Sequence, residues 1–552
     1  MSLDRVSRFV AITVAFIGAG ALSYFVTAES TPQTATQATP PTAPNASTDA
    51  SDSAITAALR SSVVNFSCKL EPRSAMRPWK LDPVQEVGGS GVVIAPGRIL
   101  TNAHVVHQST EILLESEQTS LAIPATLIAI DVGRDLALVE TTDAEFIANH
   151  PPVALFAGLP RDGARVTVMG FPMGGEALST TSGVISRSEW ADIGEGGENG
   201  MRVQVDAAVN FGNSGGPAFV DGKLAGLVFS GLDNAVADNI SYLISTEEIG
   251  RFLGEVDAGT IDGNCVIAVQ TQTLENPALR AKLGVNSSVA GVVVISAQNE
   301  LLKPWDIITS INGYLVDNKG QISIEESRKV AMECAAGRFD PAKDGPSIKV
   351  EVLREGKSVE VMIPAQGERE GIVRTRVNGA YPYLVFGPMV FGPVHTDLLG
   401  AMADEGSIAI YYYGNSPVLP AMSDESPAKG KEFVAVLCPL LSHPIARGYD
   451  GVPGQTVKSV NGKTFANFAE FVAILRALDE EWVVFEFNER GIERIVFRAS
   501  EIEAATERVM DANGIRQQAS KDVRAIWAGS VKSDSTAHDA DNSANTATKP
   551  AK

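Results

Sequence analysis

The sequence predicts a mostly β chain, in which one large strand-rich domain precedes two smaller α+β domains. Short apolar segments separated by Gly-rich turns recur from about residue 54 to residue 256, and roughly 200 residues of this pattern suit a domain built from β-barrels. Two similar segments follow, Asp306–Gly313 and Gln455–Gly462, and each is a strand that leads into an Asn-Gly turn. A chain of 552 residues with 44% hydrophobic residues is long enough to bury several cores.

Changes in composition divide the chain into six segments. We predict a signal peptide or signal anchor at 1–28, a disordered linker at 29–53, the strand-rich domain at 54–256, the two α+β domains at 257–367 and 368–512, and a C-terminal extension with a disordered tail at 513–552. The linker and the tail consist mainly of small and polar residues, which cannot bury enough apolar surface to fold.

The N-terminal segment has the pattern of an export signal. Arg5 and Arg8 precede an apolar run at 9–26, and small residues end at Ala28 before Glu29. This order favours a secretory signal that is cleaved after Ala28. The run is also nearly long enough to span a bilayer, so an uncleaved membrane anchor stays open. Both interpretations put the rest of the chain in the periplasm or an equivalent compartment outside the cytoplasm.

Charge and cysteine spacing exclude two classes of partner. A net charge of −21 argues against nucleic acid, because phosphate binding needs clustered Lys and Arg. The four cysteines are far apart in the chain and lack the paired spacing of a zinc site, so no metal site is predicted. We expect buried free thiols at Cys68, Cys265, Cys334 and Cys438.

Three residues in the strand-rich domain predict nucleophilic catalysis. Ser214 lies in a Gly-rich turn, and a serine hydroxyl needs an imidazole to take its proton and a carboxylate to orient that imidazole. His104 follows a predicted strand, and Asp135 directly precedes a buried one. Asp131 is a rival carboxylate earlier in the same loop, but we favour Asp135. The order His, Asp, Ser is that of the chymotrypsin-like double β-barrel.

The glycines beside the serine predict an oxyanion hole. Gly212 permits the sharp turn that makes backbone N–H groups converge. The predicted set is Gly212, Asn213 and Ser214, with the N–H groups of Gly212 and Ser214 as donors. Gly215 and Gly216 keep the space beyond the nucleophile open for the substrate backbone.

Several motifs carry a resemblance to a known family. They are Gly89–Ile94, Thr101–Val106, Arg134–Ala137, Thr181–Ser186 and Gly212–Pro217. Together they resemble the HtrA/Deg serine proteases, and Leu274–Arg280 with Tyr381–Phe386 resemble the two-PDZ branch known from plants. The resemblance implies ATP-independent cleavage of misfolded or damaged proteins, assembly as trimers or multiples of trimers, and no metal or cofactor. Ala218-Phe219 after Pro217 departs from the common Ala-Leu.

The two α+β domains fit the PDZ fold. In each, a strand and an Asn-Gly turn are followed by a predicted helical stretch and late strands, at 348–363 and 482–497. Such domains add a peptide as a strand to a sheet edge. We predict that the first binds free peptide C-termini through a carboxylate-binding loop, in which backbone N–H groups beside a glycine form an anion nest. The predicted loop is Lys282, Leu283, Gly284 and Val285. The second domain shows no clear equivalent.

The resemblance also implies the residue at the base of the substrate pocket. It is Ala208, six positions before Ser214, and it predicts cleavage after small or medium apolar residues. Asp206 is two residues away, and a preference for basic residues would need its carboxylate in the pocket. Two other functions stay open, a PDZ-based chaperone or scaffold with a vestigial catalytic site, and an esterase.

Overall fold

The structure is a computed structural model. It describes residues 59–118, 121–172, 177–193, 198–231, 240–297, 299–325, 328–365, 373, 381–404, 408–422, 430–449, 453–490 and 494–529. The predicted export signal, linker and tail end therefore lie outside the described residues. Within the described residues, no helix is long and apolar enough to span a membrane.

The first sheet is antiparallel and has seven strands in the order β5-β4-β1-β2-β3-β7-β6. The strands are β1 (Val63–Leu70), β2 (Gln85–Ala95), β3 (Arg98–Thr101), β4 (Ser109–Glu115), β5 (Ile123–Pro124), β6 (Thr126–Asp131) and β7 (Leu136–Glu140), with helices α1 (Ala103–Val106) and α2 (Ala144–Asn149). Ile123 of β5 and Leu127 of β6 pack against one core. Because these strands are the two edges, the sheet curls around that core.

The second sheet is a closed barrel of six strands in the order β10-β13-β12-β11-β8-β9. The strands are β8 (Arg165–Gly170), β9 (Ser179–Asp192), β10 (Asn199–Val205), β11 (Pro217–Val220), β12 (Lys223–Gly231) and β13 (Ser241–Ser245). Helix α3 (Thr246–Ala258) follows and buries Ile249 and Phe252 between the two sheets. The predicted chymotrypsin-like architecture is confirmed.

The first α+β domain has a sheet in the order β14-β15-β16-β20-β21, with β17 paired to β16, and a separate β18–β19 hairpin. Its elements are β14 (Val269–Thr273), α4 (Pro277–Leu283), β15 (Val292–Ala297), β16 (Ile307–Ile311), β17 (Tyr314–Leu315), β18 (Gln321–Glu325), β19 (Arg328–Ala331), α5 (Cys334–Gly337), α6 (Pro341–Asp344), β20 (Ser347–Arg354) and β21 (Lys357–Pro364).

The helical stretch predicted after the first Asn-Gly turn is present, but it is short and a hairpin that the sequence did not predict precedes it. A hairpin and two helices of four residues each occupy this region. The alternation of polar residues with Ile322 explains the hairpin, since a period of two buries one side of a strand. Ile322 and Val330 face each other across the hairpin and are both buried.

The second α+β domain contains two three-stranded sheets, β22-β23-β24 and β25-β26-β27. Its elements are β22 (Leu384–Phe386), β23 (Met389–Pro393), α7 (Thr396–Asp404), α8 (Ala409–Tyr413), α9 (Val418–Met422), β24 (Val434–Val436), the 3₁₀ turn Pro444–Ala446, β25 (Val457–Val460), α10 (Phe468–Arg476), β26 (Trp482–Phe487), β27 (Ile495–Arg498), α11 (Ala499–Asn513) and α12 (Lys521–Ala528). Val523 of α12 is buried in this core, beyond the predicted boundary at 512.

The strand-rich domain contacts both α+β domains. Ala75 and Met76, from the β1–β2 connection, lie in the same buried cluster as Val385 and Leu398 of the second α+β domain. Trp190 of β9 packs against the core of the first α+β domain. All four cysteines are buried and none of them forms a disulfide bond, as the sequence predicted.

Candidate active site

His104 and Asp135 are brought together by the pairing of β3 with β7. Thr101 lies opposite Ala137 in that ladder, so the residues just after β3 meet those just before β7. His104 Nδ1 lies 2.8 Å from Asp135 Oδ2, and the His104 backbone N–H donates to Asp135 Oδ1 at 2.9 Å. The imidazole side chain is 27% exposed and the carboxylate only 4%. The buried carboxylate therefore orients a ring that faces the cleft.

Asp135 adopts a backbone conformation that is unusual for its residue type. Its φ is +54°, in the left-handed region that residues with a Cβ rarely occupy. Asn102 Nδ2 donates to the Asp135 carbonyl at 3.0 Å, and Asn102 is fully buried. This bond supports the strained residue from Asn102, which directly precedes the helix α1 that carries His104.

A buried ionic cluster holds the loop that carries Asp135. Arg134 is fully buried, and its guanidinium donates to Asp131 and to Glu255 of α3. The Arg134 backbone N–H also donates to Asp131 Oδ1 at 3.1 Å. Both carboxylate oxygens of Asp131 are thus engaged by Arg134, whereas those of Asp135 face His104.

Ser214 lies in a turn between β10 and β11 that uses glycines where the backbone requires them. Gly212 and Gly215 have φ values of +94° and +78°. The Ser214 carbonyl accepts a hydrogen bond from the Ser90 N–H of β2 at 2.8 Å, and the Gly215 N–H donates to the Val228 carbonyl of β12 at 2.8 Å. The turn is therefore fixed to both sheets.

The N–H groups of the predicted oxyanion-hole residues differ in their hydrogen bonding. The Asn213 N–H donates to the Asn210 carbonyl at 3.0 Å, so it is already used within the turn. Within the described part of the chain, the N–H groups of Gly212 and Ser214 have no hydrogen-bond acceptor. This agrees with the sequence-based choice of Gly212 and Ser214 as the donors, with Asn213 between them.

The serine turn lies against the strand end that leads to His104. A Cβ on Gly215 would lie 2.3 Å from Thr101 Oγ1 and 3.1 Å from the Asn102 backbone nitrogen. Only a glycine permits this approach. Because Asn102 is two residues before His104, the serine turn lies near the segment that carries the imidazole, where the two sheets meet.

The chain is similar to known proteins over both its strand-rich part and its C-terminal part. A model of the trypsin-like peptidase domain matches residues 89–227, and a model of the PDZ domain matches residues 373–522. The solved structure "HtrA-type protease AlgW with tripeptide" covers 57% of this chain and 96% of its own, with 23% identity and a TM-score of 0.44. Protease Do-like 2, chloroplastic, of Arabidopsis thaliana is 27% identical over 475 residues, which are 85% of this chain and 76% of that protein.

Putative protease Do-like 13 of Arabidopsis thaliana is 30% identical over 345 residues, which are 61% of this chain and 70% of that protein. The chain belongs to the Do-like family of HtrA/Deg serine proteases. It is a serine endopeptidase with a PDZ domain. The resemblance stated from the sequence motifs is thereby confirmed.

In this Do-like protease the two residues considered for the substrate pocket differ in environment. Ala208 is exposed after the buried Ala207. Asp206 is also exposed, and its Oδ1 accepts the backbone N–H of Val184 on β9.

The predicted carboxylate-binding loop of the first α+β domain is wrong. Lys282 and Leu283 end helix α4, and Gly284 is its left-handed cap with a φ of +67°. The N–H groups of Gly284 and Val285 donate to carbonyls of the last helical turn, including that of Arg280. These N–H groups close the helix, so they cannot form an anion nest.

Sequence reasoning named the motifs but missed the roles of three supporting residues. Ser90, Asn102 and Arg134 are each fully buried although they are polar or charged. Each hydrogen-bonds to a residue of the site or of its loop. The local sequence carries no signal of this burial, since Ser90 lies between two glycines and Arg134 between Gly133 and Asp135; the partners that a buried polar group requires come from distant parts of the chain.

Proposed function

We propose that this Do-like protease cleaves unfolded or damaged proteins without ATP, through a triad of Ser214, His104 and Asp135. The observation that carries the proposal is the buried Asp135 carboxylate 2.8 Å from His104 Nδ1, beside a serine turn with two available N–H donors. In the proposed reaction Ser214 Oγ attacks the scissile carbonyl carbon while His104 Nε2 accepts the hydroxyl proton. The Gly212 and Ser214 N–H groups stabilise the resulting oxyanion.

Breakdown of the tetrahedral intermediate completes the proposed mechanism. His104 returns its proton to the leaving amine, which departs and leaves an acyl ester on Ser214. Water then attacks this ester with His104 again as the base. The carboxylic acid product is released, and the hydroxyl of Ser214 is regenerated. Asp135 keeps Nδ1 protonated throughout, so that Nε2 is the nitrogen that accepts the proton.

The experiment is casein digestion by the purified full chain and its Ser214→Ala variant. We expect the variant to lose on the order of a millionfold in kcat, because the nucleophile is removed. A matched control is Ser296→Ala, which removes an exposed hydroxyl of the first α+β domain and should digest casein normally. Appreciable casein cleavage by Ser214→Ala would contradict the triad. A chain that binds unfolded protein without cleaving it would support the chaperone alternative.

We infer a pocket that favours small or medium apolar residues such as Val, Ala, Ile and Leu. Ala208 offers no charge, and the engagement of Asp206 with Val184 supports this choice. Discrimination should be broad, since one methylene contributes only about 1–3 kcal/mol. Mass-spectrometric mapping of cuts in denatured casein tests it, and a majority of cuts after Lys or Arg would contradict it.

We also propose that the chain works outside the cytoplasm as a trimer or a multiple of it, and that its PDZ domains present protein substrates to the cleft. Its relative Protease Do-like 2 is named as a chloroplast protein, which is consistent with a compartment separated from the cytosol. Light scattering coupled to gel filtration measures the assembly. A monomer that is active in casein digestion would contradict that part of the proposal.

A further inference from the structure

We propose that the hydroxyl of Ser90 is a positioning group that keeps the oxyanion-hole turn in its productive conformation. The inference rests on the proposed function, since it concerns the donors of Gly212 and Ser214. Ser90 lies on β2 in the first sheet. The nucleophile lies on the opposite side of the cleft, in the closed barrel of six strands. Ser90 contacts the turn but not the substrate.

The Ser90 side chain is fully buried and its hydrogen bonds are directed at the turn. Its Oγ donates to the Gly212 carbonyl at 2.7 Å and accepts the Phe171 backbone N–H at 2.8 Å. A serine hydroxyl has one proton to donate. That proton is therefore committed to Gly212, while Phe171 at the end of β8 fixes the direction of the hydroxyl.

This bond fixes the peptide plane between the two proposed donors. The Gly212 carbonyl and the Asn213 N–H belong to one planar peptide unit. Ser90 Oγ holds the carbonyl end of that unit, and the Asn210 carbonyl holds its N–H end at 3.0 Å. The plane cannot rotate while both bonds persist.

The backbone of Ser90 holds the other side of the nucleophile. Its N–H donates to the Ser214 carbonyl at 2.8 Å, and its own carbonyl accepts from Thr101 Oγ1 at 2.8 Å. One residue thus fixes the peptide groups that follow Gly212 and Ser214. The Thr101 bond in turn joins Ser90 to the strand that leads to His104.

A fixing bond is needed because Gly212 cannot supply its own restraint. Glycine rotates into several backbone regions at little cost, and the required φ of +94° is only one of them. An oxyanion hole gains its effect from donors that are already oriented before the charge develops. Ser90 therefore provides from the opposite sheet the restraint that the glycine backbone lacks.

The test compares Ser90→Ala with the wild-type full chain on a peptide substrate. We expect kcat to fall about ten- to hundredfold, below the hundred- to thousandfold loss that follows removal of a whole donor. KM should stay within about twofold, because substrate binding does not require the oriented oxyanion donors. The affinity for a peptidyl boronic acid, which forms a tetrahedral adduct on Ser214, should weaken by the same factor as kcat/KM.

The matched control is Thr506→Val in the second α+β domain. Thr506 Oγ1 has the same pattern of bonds, since it accepts the Gly387 N–H at 2.7 Å and donates to the Ile502 carbonyl at 2.8 Å, and Thr506 is buried. This variant removes an equally buried hydroxyl far from the cleft. It should lower thermal stability without changing kcat or boronate affinity.

A second variant disturbs the hydroxyl without removing it. A Cβ on Gly170 would lie 3.0 Å from Ser90 Oγ and 2.7 Å from Asn213 Oδ1. Gly170→Ala should therefore also lower kcat by about tenfold or more with little change in KM, on the same reasoning about oriented donors. It keeps the proposal testable if Ser90→Ala fails to fold.

The outcomes separate this inference from the proposed function. A fluorophosphonate probe should label Ser214 in the wild type and label it more slowly in Ser90→Ala. Normal kcat and boronate affinity in a folded Ser90→Ala, or an equal loss in Thr506→Val, would overturn the role of Ser90 and leave the triad intact. Labelling of the wild type at a residue other than Ser214 would instead overturn the proposed function and this inference with it.

Discussion

The two sides of the cleft are held by different kinds of interaction. On the first sheet, charged groups fix the site, since Asp135 pairs with His104 while the adjacent Arg134 pairs with Asp131 and Glu255. On the closed barrel, the serine turn has no charged residue between Asn210 and Pro217. It is shaped by glycines and fixed by hydrogen bonds, including those from Ser90.

The difference follows from what each side has to do. The first side must hold a carboxylate in a buried place, and a buried charge is stable only when it is paired and hydrogen-bonded. The second side must leave N–H groups unpaired for the substrate, which requires a turn that only glycine adopts easily. Such a turn is flexible, so its restraint comes from the opposite sheet. Each side can therefore be broken by a different substitution.

Among variants that keep Ser214, the largest effect is expected on the charged side from Asp135→Asn. An amide in place of the carboxylate favours the wrong tautomer of His104, and kcat should fall about ten-thousandfold. The control is Asp131→Asn, which weakens the ion pair with Arg134 but not the contact with His104. It should lower stability and keep kcat within a few-fold of wild type. Steady-state kinetics of both variants at neutral pH measure this, and equal losses of kcat would contradict the assignment of Asp135.

The next largest effect is a loss of free energy of unfolding, and it also comes from a substitution on the charged side. Arg134→Met leaves the carboxylates of Asp131 and Glu255 without their buried partner, and breaking such a pair costs about 3–5 kcal/mol in the free energy of unfolding. The control is Arg494→Met, because Arg494 pairs with Glu486 at the surface and is 71% exposed, and exposed pairs contribute about 0–1 kcal/mol. Urea unfolding compares the two, and equal midpoints would show that Arg134 does not carry the loop.

The sequence predicted most of the fold and the three candidate catalytic residues, for a definite physical reason. Strand alternation and Gly-rich turns are local signals, and a nucleophile, a base and a carboxylate must occur in a fixed order within this barrel type. The supporting contacts could not be predicted, because Ser90 and Gly212 are 122 residues apart. Their hydrogen bond exists only once β2 lies beside the serine turn.

The first α+β domain shows the limit of a local motif. The segment from Lys282 to Val285 contains a glycine. Because glycine is common both in anion nests and in helix caps, the sequence of this segment is compatible with either structure. The length of helix α4 decides between them, because its last carbonyls need the N–H groups of Gly284 and Val285. Which backbone N–H groups remain available for an anion depends on the residue at which the helix ends. The sequence does not define the ends of short helices well.

A smaller effect is expected on the glycine side from Gly215→Ala. Its φ of +78° strains any residue with a Cβ by about 1–2 kcal/mol, and a Cβ here would also collide with the Ser90 carbonyl and Thr101 Oγ1. The control is Gly158→Ala, which has a φ of +71° but no atom within 4 Å of the new Cβ. In Gly158→Ala the free energy of unfolding should fall by the strain energy alone. In Gly215→Ala it should fall by about 1–3 kcal/mol more, which is the cost of overpacking a filled site, and this variant should also lose activity.

The smallest effect distinguishes which side opens first, and it uses Cys68 as a reporter. Cys68 is buried in the core behind His104 together with Val105 and Val106, and burial raises the pKa of its thiol to about 12. Because the folded pKa is the higher one, the stabilisation from Cys68 is fully present below the unfolded pKa of about 8.5–9. It is lost as the pH rises towards 12, by at most about 1.4 kcal/mol per pH unit.

At pH 8 a maleimide, which reacts with the thiolate, should label Cys68 only after the core opens. Peptide mapping should therefore find faster labelling in Arg134→Met than in Gly215→Ala. Equal rates in the two variants would show that the charged side and the glycine side open together, and that they do not differ in the way proposed here.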